Sequence, residues 1–99
     1  MSAIYLNILT SPNCPHSPKA IRVAERVIAK KHRFPIHFRE ISVITQEGEI
    51  MAESFHLDST PTFTINGKVA FVGVPSTRTL NELLNDEINK EFHRDSYFF

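Results

Sequence analysis

Two runs rich in β-formers, Thr60 to Ile65 and Lys68 to Val72, are separated by nothing but Asn66-Gly67. Both central positions of a two-residue hairpin turn need positive φ, which Asn and Gly supply at least cost, so these runs must be antiparallel neighbours. Upstream, Ala3 to Leu9 is apolar on both faces with β-formers Ile4, Tyr5 and Ile8, and it ends in the loop residues Thr10-Ser11-Pro12-Asn13. That is the pattern of a strand buried inside a sheet. From Pro15 to about Lys31, Ala20, Val23, Ala24, Val27 and Ile28 recur at helical spacing. Pro15 suits a first helical position, and Pro18 still falls among first-turn groups that lack an intrahelical partner.

Phe34-Pro35 ends that helix, and Ile36 to Val43 reads as a second strand, with a phase slip between Phe38 and Ile41 that suggests a bulge. Thr45 caps a short helix carrying Ile50, Met51, Ser54 and Phe55 on one face, which Gly48 weakens. Ser76 caps a last helix with Leu80, Leu83, Leu84 and Ile88 on its apolar face, ending near Lys90. The order is therefore β-α-β-α-β-β-α. A strand-helix-strand opening calls for a parallel pair with a right-handed crossover, and the hairpin adds antiparallel strands. The expected fold class is α/β, a mixed four-stranded sheet flanked by helices. Residues 1–91 form the domain, and 92–99 are a tail in which Phe92, Tyr97, Phe98 and Phe99 fold back over the domain or meet a partner.

Ninety-nine residues suffice for one domain with its own core. No basic segment followed by an apolar stretch opens the chain, and no run approaches the ~20 apolar residues of a membrane span. Cytoplasmic localisation, with no membrane partner, is the expectation. Formal net charge is zero, but residues 1–39 carry seven Lys/Arg against one acid while residues 40–99 carry four against ten. A neutral total argues against a nucleic-acid partner.

The only cysteine, Cys14, stands where the first strand gives way to the first helix. Unpaired backbone N–H groups and the positive end of the helix dipole favour thiolate there. The bland reading is a small inert core residue; Pro and polar neighbours on both sides favour the nucleophile. Ser17 lies one helical turn on, placed to donate to the thiolate. His16, if protonated, would favour the thiolate too, or is simply a solvent-exposed first-turn residue; the basic residues of this helix read first as a solvated face, with Lys19, closest to Cys14, placed to steer an acidic substrate or a glutathione carboxylate. His32, His37, His56 and His93 make no metal-ligand spacing, and no metal or other cofactor is expected.

With this element order and Cys14-Pro15-His16-Ser17 at the first strand-to-helix junction, the chain resembles the thioredoxin/glutaredoxin superfamily, closest to small archaeal glutaredoxin-like or thioredoxin-like proteins. The likeness rests on Thr10 to Pro15, on Thr60-Pro61-Thr62, and on Asn66-Gly67-Lys68 through Ser76, and so spans nearly the whole chain. It implies a thioredoxin-like fold and thiol–disulfide oxidoreductase activity. By resemblance, Pro61 takes the role of a cis-proline beside the active thiol, and Thr60 that of the residue whose backbone pairs with a bound peptide or glutathione.

The chain departs from the patterns of that superfamily at four points. Ser17 stands where dithiol members have a resolving cysteine. Ile8 replaces the buried acid of thioredoxins, as on the glutaredoxin side. Gly73-Val74-Pro75-Ser76 replaces the Gly-Gly-acid of glutaredoxins, and Pro15 the Gly that follows the cysteine in cluster-binding monothiol members. One thiol implies a mixed disulfide resolved by an external thiol. The expected partners are protein disulfides or glutathionylated proteins, with glutathione, another low-molecular-weight thiol or a reductase as electron donor, and a dimer through Cys14 or the aromatic tail. Two alternatives are a non-catalytic binding module of the same fold, and a Cys-to-Ser trapping form of a Cys-Pro-His-Cys parent.

Overall fold

The structure is a computed structural model describing residues 3–31 and 34–96, with side chains through 91. The aromatic tail side chains, and with them the folded-back or dimer role expected for the tail, lie outside the described residues. The elements are β1 (Ile4–Thr10), α1 (Ser17–Ile28), β2 (Ile36–Ser42), α2 (Gln46–Ser54), β3 (Thr62–Ile65), β4 (Lys68–Val72) and α3 (Thr77–Ser96). They follow the expected order.

The sheet runs β2-β1-β3-β4. β1 pairs parallel with β2 and antiparallel with β3, and β3 pairs antiparallel with β4. Asn66 and Gly67 both take positive φ, +50° and +79°, as the hairpin turn requires. Being central, β1 is buried along most of its length, with Ile4, Leu6, Ile8 and Leu9 fully covered. Tyr5 is the exception at 55% exposure, stacked on His37 of β2.

One face carries the main core: Ile4, Leu6 and Ile8 of β1 and Phe63 and Ile65 of β3, against Ala20, Val23, Ala24 and Val27 of α1 and Leu80 and Leu84 of α3. Each fully buried Leu or Ile contributes about 1.5–3 kcal/mol of transfer free energy, which makes this cluster the fold's principal stabiliser. Leu9 and Ile41 are buried outside that cluster, on the face that α2 borders.

Several expectations are corrected. No bulge interrupts β2, whose register with β1 runs unbroken from Ile4↔Ile36 to Thr10↔Ser42. The apparent slip arises because Ile36 and Phe38 pack toward the main core while Ile41 turns to the other face; the irregularity lies in the β3–β4 pair at Phe63/Thr64. α1 begins at Ser17 rather than Pro15, since turns closed by Cys14 N–H to Ser11 O (3.0 Å) and Ser17 N–H to Cys14 O (3.4 Å) hold the preceding residues. It ends at Ile28, where Lys30 and Lys31 bond back only three residues and tighten the last turn.

In α2 the residue buried is Gly48, while Ile50 is 56% exposed. A Cβ at Gly48 would collide with the Ser42 carbonyl, so the glycine allows α2 to approach β2. Thr45 does cap α2, accepting from Gly48 N–H at 3.1 Å. α3 continues to Ser96 because no Gly or Pro follows Lys90 to stop it.

Candidate functional site

β1 delivers the chain to the edge of the sheet, and the turns of residues 11–16 hold Cys14 at the mouth of α1. The position at the helix start is His16, whose side chain makes no capping hydrogen bond. The first amides of α1 are therefore left for another acceptor. Those of His16 and Ser17 point to the Cys14 sulfur and favour its charged form.

Ser17 is buried, at 5% exposure, and its hydroxyl has no well-formed hydrogen bond among the described residues. A buried hydroxyl without a partner costs about 1–3 kcal/mol. Its proton is free to turn toward the sulfur once that sulfur carries charge. That donor is the largest cause lowering the Cys14 pKa from 9.0 to about 7, followed by the Thr60 side chain; partial burial opposes both, and the two amides add to them. Thr60 also acts in the other direction: its carbonyl accepts from the neutral thiol at 3.3 Å, which favours S–H.

Thr60 reaches the sulfur from the loop before β3. α2 ends in a Schellman closure, with Leu57 N–H to Ala52 O at 2.9 Å and His56 N–H to Glu53 O at 3.2 Å, and His56 takes the left-handed conformation at φ +55°. The chain then turns to Thr60-Pro61, whose peptide bond is cis, with Pro61 buried. The Pro61 carbonyl accepts from Gly73 N–H at 2.7 Å, tying this loop to the segment that leads into α3. Gly73 has φ +99°, a region few side chains tolerate. Ser76 caps α3, accepting from Thr79 N–H at 3.1 Å.

Cys14, Ser17 and Thr60 thus converge, with Pro61 next in line. Pro15 and His16 are exposed, and His16 acts on the sulfur through its backbone amide; its imidazole is not among the groups that do. Lys19 is exposed and makes no ion pair among the described residues. Ile8, where thioredoxins keep a buried acid, is fully buried in the main core. Among the described residues no group of three or more His, Cys, Asp or Glu is gathered for a metal, and no helix is long and apolar enough to cross a membrane.

Beside Thr60 lies an open groove of about 290 Å³ whose walls include Ser11, Val43, Ala52, Leu57 and Asp58. Sequence reasoning missed it. It is built from the loops after β1 and β2, from α2 and from the loop before β3, and none of these residues carries a local signal.

Residues 5–85 match the family described as Thioredoxin domain. The chain is 34% identical over 88 residues to the Thioredoxin of Methanocaldococcus jannaschii, covering 89% of this chain and all of that one. It is also 34% identical over 85 residues to the Probable Thioredoxin of Methanothermobacter thermautotrophicus, covering 86% of this chain and 96% of that one. Among solved structures it is similar to a thioredoxin-like protein from Clostridium perfringens, with TM-score 0.71, 12% identity and coverage of 85% and 70%. Desulfothioredoxin from Desulfovibrio vulgaris Hildenborough, in its reduced form, gives TM-score 0.67, 19% identity and coverage of 86% and 82%. At such identities these two structures speak for the fold alone.

Proposed function

This chain belongs to the thioredoxin family, and on that premise we propose that it is a thiol–disulfide oxidoreductase working through one nucleophile, Cys14. The observation that carries the reading is the setting of the thiol at the mouth of α1: the Ser17 hydroxyl, the Thr60 side chain and the backbone amides of His16 and Ser17 converge on its sulfur and hold its pKa down at about 7. About half of it is thiolate at neutral pH, against ~3% for an ordinary cysteine of pKa ~8.5.

The thiolate attacks one sulfur of a substrate disulfide. The substrate S–S bond breaks, its second sulfur leaves as thiolate, and a Cys14–substrate disulfide forms. Ser17 assists by hydrogen bonding but has no sulfur with which to displace the bound substrate. An external thiol therefore attacks the adduct and regenerates Cys14, with glutathione, another low-molecular-weight thiol or a reductase in that role. Protein disulfides and glutathionylated proteins are the substrates of this scheme. Thr60 lines the approach, and the apolar walls of the adjacent groove suit a peptide chain.

The test is incubation with a glutathionylated peptide. A Cys14 adduct should accumulate without added thiol and clear when a thiol is supplied, with turnover absent in Cys14→Ser. Failure to form any adduct would leave a binding module of thioredoxin fold.

A second reading, the Ser-substituted form of a dithiol enzyme, draws on the same unpartnered hydroxyl. A thiol is a weaker hydrogen-bonding group and tolerates that burial better. Restoring it by Ser17→Cys should then create reductase activity toward a protein disulfide without an external thiol in the resolving step.

A further inference from the structure

Four cations, Lys19, Arg22, Arg26 and Lys30, follow one another at intervals of three, four and four residues along α1 and just past its end, all exposed. Such intervals place them on one stripe, about 16 Å long at ~1.5 Å per residue. Glu25 is the helix's only acid, and none of the four cations forms an ion pair among the described residues. Like charges four residues apart repel one another, and a merely solvated face would interleave acids to relieve that repulsion.

The distal half of the stripe borders a concavity. Arg26 and Lys30 line an open cleft of about 330 Å³ together with Thr77, Arg78 and Asn81 of α3. Of its three cations, only Arg78 has an acidic partner, Glu82 at 3.3 Å, and that pair is well exposed. A cleft lined by one sign of charge focuses the field. The proximal end of the stripe, Lys19, lies five residues after Cys14 at the same helix mouth.

We infer that this stripe and cleft are a docking face for an acidic segment of a redox partner protein, one that brings its disulfide to Cys14. The inference rests on the exchange chemistry proposed above. A nucleic acid fits less well: the chain's net charge is zero and α1 carries no aromatic side chain on which bases would stack.

The partner's reacting cysteine lies beside an acidic tract of about five residues, the extended length that covers ~16 Å. Exchange proceeds as for any disulfide: the partner S–S bond breaks, its outer sulfur leaves as thiolate, and the inner sulfur bonds to Cys14.

The test uses peptides whose single cysteine is a mixed disulfide with 2-thiopyridine, followed by a short spacer and a tract of Glu, Gln or Lys. Thiopyridone release gives the rate at Cys14. The Glu peptide should react at least about ten-fold faster than the Gln peptide at low ionic strength, and the advantage should collapse as salt shortens the Debye length to ~8 Å. The combined variant Arg22→Gln, Arg26→Gln, Lys30→Gln should lose the advantage and keep the Gln-peptide rate. The charge reversal Arg22→Glu, Arg26→Glu, Lys30→Glu, which leaves the stripe net negative, should transfer it to the Lys peptide, a gain that no misfolded protein would show.

A fluorescent, cysteine-free Glu peptide reads docking apart from chemistry by anisotropy. Stripe-dependent binding with no exchange at any peptide would uphold the docking face and sink the exchange reading instead. Equal rates for the three peptides, an advantage that survives in the triple variant, or equally tight binding of an oligothymidylate of the same charge would overturn the proposal.

Discussion

Ser17→Ala removes the donor that contributes most to the low pKa of Cys14. The rate of attack on a neutral disulfide such as 2,2′-dithiodipyridine reports two quantities, the thiolate fraction and the intrinsic reactivity of that thiolate. At pH 7 a pKa of about 7 leaves half the thiol ionised. An ordinary pKa of ~8.5 leaves ~3%, a roughly 16-fold deficit. Basicity works against this: with a Brønsted slope of ~0.5, a rise of ~1.5 pKa units makes each thiolate ~5-fold more reactive. The net deficit of a fully relaxed thiol at pH 7 is therefore about 3-fold.

The wild-type profile should inflect near 7, and that of Ser17→Ala should inflect higher, moving toward the ordinary value. The variant should be slower below neutrality and faster on the alkaline plateau, so that the two curves cross between about pH 7 and 8. An unchanged urea midpoint for the variant separates loss of the donor from a loss of folding, which would also return the thiol to its ordinary pKa. Superimposable profiles, or a wild-type inflection near ~8.5, would refute the assignment of Ser17 as the donor.

The same shift predicts a pH-dependent stability difference. A folded-state pKa below the unfolded value stabilises the fold above the unfolded pKa, near 9, and that contribution disappears as pH falls through about 7. Denaturant unfolding of wild type and Cys14→Ala should show a gap that widens between those two pH values. Gly48→Ala places a methyl group against the Ser42 backbone and should destabilise by at least about 1–3 kcal/mol in urea unfolding, although alanine is the better helix former. His56→Gly should do the reverse: relief of a left-handed side chain (~1–2 kcal/mol) outweighs the added entropy of glycine (~0.5–1 kcal/mol), for a net gain of about 0.5–1 kcal/mol by the same measurement. Arg39→Ala breaks a 2.7 Å pair with Glu47 in which both side chains are more than half exposed, and should leave the urea midpoint essentially unchanged, because solvent screens such a pair.

Much of the fold is written in local patterns. Ala20, Val23, Ala24 and Val27 mark the buried face of α1, Asn66-Gly67 marks the hairpin, and Ser76 with Leu80 and Leu84 marks the start and inner face of α3. These readings succeed because period, turn chemistry and capping depend on neighbours within a few residues. β2 misled for the opposite reason. Its apolar residues serve two faces of the sheet, so a strand without a bulge looks as though it has one. Gly48 misled likewise, since a breaker of isolated helices is what lets α2 pack against Ser42.

The sequence by itself determined the order of elements, the place of Cys14 at a strand-to-helix junction and the lack of a second thiol in these 99 residues. Only the tertiary structure decided what acts on that thiol. Thr60 is 46 residues away, and its side chain and its carbonyl reach Cys14 because the closure at His56 turns the chain back toward the mouth of α1. The uncapped mouth of α1 and the unpartnered Ser17 hydroxyl likewise emerge only when α1 is set against the sheet. A pKa depends on burial and on donors within a few ångströms, and those distances are fixed by how loops converge in space.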